Sequence, residues 1–407
     1  MNVVCLCFCK RKCVEMAITG VSLSAVNPIR FEKKNEKMDK KAEPVAVQPK
    51  VTADSGEALR SYFAAGQAIS FGFHCSTGKF VTKRMDDVPC CCCGGKMILQ
   101  RNLDSKAYSF ASLTGTDLAD KIEKERDYFR NNQGTIAGMI AREAKKDNGL
   151  DAEGAVREIS GNFYTKLKTY CTDVLNETDK IAKSAMGEKN PVSQLIQKEK
   201  LNVAGGAIDR IPFTEKLVAL NEAGEIDPST YDKVLNTAML LPQNAGLAAK
   251  QFNRIQGRDN EGIFIELLRE STQTIEHVHP HSLGGPNDTD NYLAECGECN
   301  HQRGNMSYLK WIKVHPEYPI NAQKHIEWFQ QKVVDGDIDS RYDDYGSKIR
   351  QTLSKESNGK MVLKVLDKDK IREFRLRALN GLDADVHEEI EKQQEEEKLA
   401  EKAKQAA

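Results

Sequence analysis

The chain has 407 residues, of which 40% are hydrophobic and 29% are charged. This composition is ordinary for a globular protein, and the length suffices for about two to three domains. The 59 Lys and Arg residues nearly balance the 60 Asp and Glu residues, so the formal net charge is -1. A basic field over the whole protein is therefore excluded, and any site for a polyanion must be a local patch.

No stretch of the sequence reaches the roughly 18 consecutive apolar residues of a membrane span. Residues 1–9 are largely apolar, but this stretch is too short for a signal-peptide core, and its charges follow it instead of preceding it. We therefore expect an intracellular protein, located in the cytoplasm, without a membrane partner.

The first hundred residues divide into a tail and a small α+β segment. Residues 1–50 carry a charge run and then a linker-like stretch, a composition typical of disorder. The cysteines near the N-terminus are interpreted as part of this tail, with lipidation or metal binding left open. For residues 51–103 we predict a helix capped by Asp54 or Ser55, then short strands at 68–73 and 80–83.

Residues 104–270 are predicted to be almost entirely helical, because Gly and Pro are sparse there and lie between periodic segments. Helix is also predicted over 307–380, with a break at His315 and Pro316, so that 336–382 form C-terminal helices. Residues 383–407 hold nine acidic residues against four lysines, which indicates a charged, solvated tail. The long helical segment or this tail could bind a protein partner.

The twelve cysteines are clustered rather than dispersed. Four are consecutive, from Cys90 to Cys93, and Cys296 and Cys299 form a CxxC pair. Disulfide scaffolds are short secreted chains with dispersed cysteines, whereas this chain is long and its cysteines are clustered. Pairs at CxxC spacing in a reducing compartment indicate metal binding instead.

Residues 274–305 differ in composition from the rest and read TIEHVHPHSLGGPNDTDNYLAECGECNHQRGN. A strand is predicted over 274–278, since Pro280 cannot continue a ladder. The Gly-Gly-Pro-Asn stretch is typical of a loop. A return strand is predicted over 291–294, and a helix is predicted to begin at Asn300.

The chemistry of this segment depends on Glu276, His277 and Asn300. Neighbouring residues of a strand point to opposite faces, so one of Glu276 and His277 can bind a metal while the other acts as a base. A carboxylate and an amide supply the oxygen ligands that Mg²⁺ prefers. Histidine titrates near neutrality and can deprotonate water. A bound metal and an activated water suffice for phosphodiester hydrolysis.

The segment resembles the HNH endonucleases of the ββα-metal class. The resemblance rests on Glu276-His277, Pro280, Gly284-Gly285, Asn291, Cys296-x-x-Cys299, Asn300, Arg303 and Gly304. It implies that His277 is the general base, that Asn291 stabilises the loop and orients the base, and that Glu276 and Asn300 hold the catalytic Mg²⁺ or a similar divalent ion. It also implies that the substrate is DNA and that the metal stabilises the leaving oxygen.

The same resemblance implies a structural zinc site. Many members carry an upstream CxxCG knuckle, and here Cys90 and Cys93, followed by Gly94, supply it. With Cys296 and Cys299 they would form four ligands, leaving Cys91 and Cys92 as spectators. Cys93 and Cys296 are 203 positions apart, a much longer gap than is usual. Residues 104–270 are therefore interpreted as a helical insertion between the two halves of the zinc site.

Substrate contacts are predicted beside the catalytic residues. Arg303 is a candidate phosphate contact, with a surface ion pair as the alternative. His279 and His281 are expected to face solvent or phosphate, with a role as metal ligands left open. Lys310 contributes to a modest local positive balance that would suit a nucleic-acid backbone.

These observations together predict an α+β fold that is mostly α-helical. A small ββα-metal core over 271–335, stapled by zinc, would carry an inserted helical domain and a helical C-terminal extension. The predicted function is metal-dependent DNA hydrolysis. The alternative is a zinc-stabilised nucleic-acid-binding module without activity, which would be expected to have lost at least one of Glu276, His277, Asn291 and Asn300. A third reading is an interaction protein that carries the nuclease as its payload.

Overall fold

The computed structural model describes residues 76–406, which lie within one compact unit. The expectations for residues 1–50, and for the helix and first strand between residues 54 and 73, lie outside the described residues. The structure is 67% helical with a small two-stranded antiparallel sheet. The predicted fold class, α+β and mostly helical, is therefore confirmed.

The sheet is a hairpin of β1 (Gln273–His277) and β2 (Tyr292–Cys296). Thr, Ile and Tyr in these segments favour extended backbone. The antiparallel register places Glu276 opposite Leu293 and His277 opposite Tyr292. Every residue of β2 is buried. An isolated two-stranded hairpin is marginally stable in water, so this one depends on the elements that cover it.

The knuckle segment, residues 88–98, lies alongside the hairpin. Pro89 and Lys96 pair as a short antiparallel bridge, and Ile98 pairs in parallel with Thr272 just before β1. The backbone N–H of Cys91 donates to the carbonyl of Ala294 in β2 at 3.1 Å. Backbone hydrogen bonds thus bring the two cysteine-containing segments together.

The helices before the hairpin are short to medium in length, except for α5, and several begin with a side-chain cap. Asp151, Asn190, Asp227, Asn244 and Asp259 each accept a hydrogen bond from an N–H of the first turn, which satisfies a donor that the helix leaves unpaired. The helices are α1 (Leu103–Ala111), α2 (Gly115–Lys124), α3 (Asn131–Ala144), α4 (Ala152–Ser160), α5 (Phe163–Met186), α6 (Pro191–Gly205), α7 (Ile211–Glu222), α8 (Pro228–Ala238), α9 (Ala245–Ile255) and α10 (Asn260–Arg269).

The helices after the hairpin complete the fold. They are α11 (Gly297–Arg303), α12 (Tyr308–Val314), α13 (Tyr318–Val334), α14 (Tyr345–Glu356), α15 (Lys368–Leu379) and α16 (Val386–Ala406). The predicted break at His315 and Pro316 falls between α12 and α13 and is confirmed. None of the helices in the described part is long and apolar enough to cross a bilayer.

The start of α11 differs from the prediction. This helix begins at Gly297, three residues before the expected start at Asn300. The N–H of Gly297 donates to the carbonyl of Thr272, and the N–H of Glu298 donates to that of Glu270, each at 3.0 Å. Tertiary contacts thus satisfy the first donors of the helix, so the CxxC pair lies at the junction of β2 and α11 and within its first turn.

The strand predicted over 80–83 is wrong. Residues Val81–Arg84 form a 3₁₀ helix, and the described sheet contains only β1 and β2. The ring of Phe80 is fully buried, with its centroid 5.7 Å from that of Tyr345 and 6.2 Å from that of Phe329. This aromatic packing, which sequence periodicity does not encode, decides the local conformation.

We expect Phe80→Ala to lower the free energy of unfolding by about 3 kcal/mol or more, because it removes a buried ring and leaves a cavity. Equilibrium urea denaturation measures this loss. Tyr108 is a matched control, since this residue is 64% exposed, and Tyr108→Ala should change stability by less than about 0.5 kcal/mol. Equal effects of the two substitutions would contradict the assigned role of Phe80.

Candidate active site and metal centre

Four cysteines from two distant segments meet in one buried cluster. The Sγ atoms of Cys90, Cys93, Cys296 and Cys299 all lie within 4.8 Å of one another. The Cys93 and Cys296 sulfurs are 3.9 Å apart. Zinc binds thiolates at about 2.3 Å, so a regular tetrahedron separates its sulfurs by about 3.8 Å. The donor set and its spacing are therefore consistent with a zinc site.

The knuckle turn depends on a glycine. The N–H of Gly94 donates to the carbonyl of Cys90 at 3.0 Å, and Gly94 has a φ of 71°, in the left-handed region. A Cβ at this position would also lie 2.8 Å from Oδ1 of Asn321, whose side-chain nitrogen donates to the carbonyl of Cys92 at 2.6 Å. Any larger residue would thus both strain the turn and displace Asn321.

Backbone donors point at the Cys90 sulfur. The N–H of Cys296 lies 3.3 Å from this sulfur, and the N–H of Cys92 lies 3.4 Å from it. Such N–H···S bonds stabilise a thiolate, the form that binds metal. The two spectator thiols are buried as well: burial raises the pKa of the Cys91 thiol, which lies 3.8 Å from the hydroxyl of Tyr318.

Glu295 is a buried residue that the sequence analysis missed. Its side chain is fully buried beside Cys92 and Cys299, and the three ligand atoms lie within 4.8 Å of one another. Burial raises the pKa of the Glu295 carboxyl. The only sequence signal was its place directly before the CxxC pair, on a strand where a polar residue would be expected to face solvent.

His277 is partly exposed at the end of β1. Its Nε2 lies 2.9 Å from Oδ1 of Asn287, and its ring packs edge-on against Tyr292 at a centroid distance of 5.0 Å. Because an amide oxygen can only accept, this contact selects the tautomer that carries its proton on Nε2. The lone pair then lies on Nδ1, where it can take a proton. Asn287 was not identified from the sequence, although it lies in the loop that was.

Asn291 holds the loop between the strands. Its Oδ1 accepts from the backbone N–H of His279 at 2.7 Å, and its Nδ2 donates to the carbonyls of His279 and Pro286 at 2.9 and 3.0 Å. The side chain is buried, so these bonds are shielded from water. A Cβ at Gly285 would lie 1.9 Å from the carbonyl oxygen of His279, which explains why glycine occupies the turn.

Glu276 and Arg303 form a buried ion pair. Glu276 is 3% exposed and Arg303 is 2% exposed. The guanidinium also donates to the carbonyls of His277 and Val278, at 3.0 and 2.9 Å. Its position does not support the predicted phosphate contact or a surface ion pair. Arg303 instead holds the end of β1, including the backbone of His277, against α11.

Asn300 lies on α11 beside β1. Its Nδ2 donates to Oγ1 of Thr274 at 2.9 Å and to the carbonyl of Ile275 at 3.2 Å. These bonds use only the amide nitrogen, so they fix the side chain while its oxygen stays available as a ligand. Asn300 is thus fixed to the strand that carries Glu276.

The remaining predicted contacts have different surroundings. His279 is engaged at both ring nitrogens, 3.1 Å from Oε2 of Glu356 and 3.1 Å from the carbonyl of Leu283. His281 is exposed, and its ring centroid lies 5.5 Å from that of His277. Lys310 is exposed on α12. His281 and Lys310 therefore face solvent, and the His279 side chain is 37% exposed while it also contacts α14.

Helix α14 holds the second strand and the loop before it. The hydroxyl of Tyr345 donates to the carbonyl of Tyr292 at 2.7 Å, and that of Thr352 donates to the carbonyl of Asp290 at 2.8 Å. Together with the His279–Glu356 contact, these bonds connect the hairpin loop to the C-terminal helices.

Helix α3 contacts the other side of the site through Glu298. This buried carboxylate accepts from Nδ2 of Asn132 at 3.2 Å and from Nδ2 of Asn131 at 3.4 Å. Burial raises the pKa of Glu298 to about 7. Because Glu298 lies between Cys296 and Cys299, these bonds connect the helical segment 104–270 to the CxxC pair.

Comparison with known proteins identifies the hairpin region. Residues 267–311 match the family model described as HNH endonuclease. The matched segment contains His277, Asn291 and Asn300 and confirms the resemblance seen in the sequence. No curated protein and no solved structure gave a significant match. The chain therefore carries an HNH endonuclease segment with a four-cysteine cluster.

Removal of metal should destabilise the protein. If zinc is bound at about a thousand times its Kd, a strong chelator should lower the free energy of unfolding by about 4 kcal/mol. Urea denaturation with and without chelator measures the difference. Cys93→Ser should be less stable and respond less to chelator, whereas substitution of serine for Cys171, a buried cysteine outside the cluster, should keep the full response. A wild-type protein indifferent to chelator would argue against a structural metal.

The Glu356 carboxylate raises the pKa of His279 through their hydrogen bond. A raised histidine pKa stabilises the folded state below the unfolded value of about 6.5, and the gain is lost as pH rises through the folded value. We therefore expect Glu356→Gln to cost more stability at pH 5.5 than at pH 8, as measured by urea denaturation. NMR titration of His279 should show a lower pKa in the variant. A pH-independent difference would contradict the coupling.

Proposed function

We propose that the protein is a metal-dependent endonuclease that hydrolyses DNA phosphodiester bonds at the HNH segment. The observation that carries the proposal is the setting of His277. Its ring is partly exposed, oriented by Asn287, and belongs to the segment that matches the HNH endonuclease family. An imidazole with an oriented lone pair and access to water is suited to general-base chemistry.

In the proposed reaction, Nδ1 of His277 takes a proton from a water molecule while the water oxygen attacks the phosphorus. Asn287 keeps the ring oriented throughout, and Asn291 keeps the loop in place. The bond to the leaving oxygen breaks, and that oxygen takes its proton from solvent.

The oxygen donors beside β1 fit a hard divalent cation. Arg303 pairs with one carboxylate oxygen of Glu276, and a carboxylate has a second. Asn300 offers its amide oxygen. These two residues would hold Mg²⁺ or a similar ion, and Mn²⁺, Ni²⁺ or Zn²⁺ are also compatible with such ligands. The ion would supply charge stabilisation for the leaving oxygen.

A binding module without activity is the second candidate, and the Glu276–Arg303 ion pair favours it. A carboxylate engaged by a buried guanidinium is less available to a metal than an unpaired one. In that case the exposed His281 and Lys310 would contact the nucleic-acid backbone without cleavage. The proposed cytoplasmic location and a protein partner for the helical segment or the tail would be unchanged.

We expect His277→Ala to reduce cleavage of supercoiled plasmid in Mg²⁺ or Mn²⁺ by at least about 100-fold, because it removes the general base. EDTA should abolish cleavage by the wild-type protein. His387 provides a matched control, since it is 64% exposed in its side chain on α16, and His387→Ala should cleave normally.

Binding and cleavage measured together separate the two candidates. Filter binding or fluorescence anisotropy in EDTA should show equal DNA affinity for wild type and His277→Ala. A wild-type protein that binds DNA but cleaves nothing in any of these metals would favour the binding module. Cleavage of RNA but not DNA would keep the catalytic assignment and change the substrate.

A further inference from the structure

The carboxyl group of Glu295 is buried with no cation beside it among the described residues. The side chain is 0% exposed, and among the described residues only the Cys92 thiol lies within hydrogen-bonding reach of its oxygens, with no nitrogen or hydroxyl donor bound to either Oε1 or Oε2. No ion pair joins it to a cation in the described part of the chain. A buried carboxyl group whose oxygens lack donors is costly even when it is protonated, so such a group ordinarily has a partner.

The zinc centre cannot be that partner. One divalent cation with four thiolates carries two net negative charges, so it repels a neighbouring carboxylate instead of neutralising it. The one guanidinium on α11, that of Arg303, pairs with Glu276. A ligand that pairs with both carboxyl oxygens of Glu295 must therefore come from outside the described side chains and carry positive charge.

Cys92 supplies a second ligand atom at the same place. Its sulfur, the sulfur of Cys299 and a carboxylate oxygen of Glu295 lie within 4.8 Å of one another, and all three residues are buried. Cys299 also belongs to the four-cysteine cluster, so the two ligand sets share one thiolate. A thiolate sulfur has enough lone pairs to bridge two metal ions, so Cys299 can serve both sets.

We propose that this protein binds a second soft divalent cation, such as Zn²⁺ or Cd²⁺, through Cys92 and Glu295, with Cys299 bridging the two ions. Three protein ligands leave one position of a tetrahedral shell to a water molecule or a small anion. Binding displaces the thiol proton of Cys92 and the carboxyl proton of Glu295. Two protons leave as one divalent cation enters, so the net charge of the buried cluster is unchanged.

This arrangement would explain the four consecutive cysteines. Cys90 and Cys93 face the first ion, and Cys92 faces the second. Cys91 lies against the hydroxyl of Tyr318 instead, at 3.8 Å. A run of four cysteines in one turn thus supplies ligands to two neighbouring positions. The proposal concerns metal binding alone and does not depend on nuclease activity.

The test is metal stoichiometry of the full-length protein. All variants carry serine at Cys5, Cys7, Cys9, Cys13 and Cys75, so that these residues cannot contribute. The protein is titrated with Cd²⁺ and examined by native mass spectrometry. We expect two tightly bound ions per chain in this background, falling to one in Cys92→Ser and to one in Glu295→Gln.

Two matched variants serve as controls. Cys91→Ser removes a buried thiol next to Cys92, and Glu298→Gln removes a buried carboxylate that hydrogen bonds to Asn131 and Asn132. Both should keep two ions. Saturation of the background protein at one ion or none would overturn the proposal even if Cys92→Ser failed to fold. Retention of two ions in Cys92→Ser and Glu295→Gln would overturn it as well.

Discussion

The structure depends on the meeting of two cysteine pairs that are 203 positions apart in the chain. Closing a loop of this length costs roughly 5 kcal/mol in chain entropy. The backbone bonds between the knuckle segment and the hairpin offset part of that cost, and a metal bound by four thiolates would offset more. The chain between the two cysteine pairs must therefore start and end at the cysteine cluster. Helices α1 to α10 form this closed segment.

The candidate catalytic residues depend on neighbours that fix the backbone around them. Arg303 holds the carbonyls at the end of β1, and Asn291 holds the loop that follows. His277 itself projects from this fixed frame and is only partly buried. The polar groups that carry the geometry are shielded from water, whereas the proposed base is accessible to it. This arrangement suits a site in which the catalytic side chains must be held rigidly while the base exchanges protons with water.

Local features of the site could be predicted from the sequence, because they depend on short-range chemistry. The hairpin, its loop, the CxxC pair and the upstream knuckle all follow from residue types at fixed spacing. Burial could not be predicted in the same way. The sequence suggested that Arg303 is exposed, at a phosphate or in a surface ion pair. Its partner, Glu276, lies 27 positions earlier, and only the fold brings the two together. The strand expected at 80–83 was lost to aromatic packing against residues more than 200 positions away.

The hydrogen bonds from Tyr345 and Thr352 determine whether the hairpin can keep its structure when it is transferred to another protein. They donate to backbone carbonyls of Tyr292 and Asp290, within the segment that matches the HNH family, yet they come from helix α14 outside it. A graft of residues 267–311 onto another scaffold would leave these donors behind, together with the upstream cysteines. The smallest transferable piece runs from the knuckle to the end of α14, so its recombination between proteins would have to carry the helical segment with it.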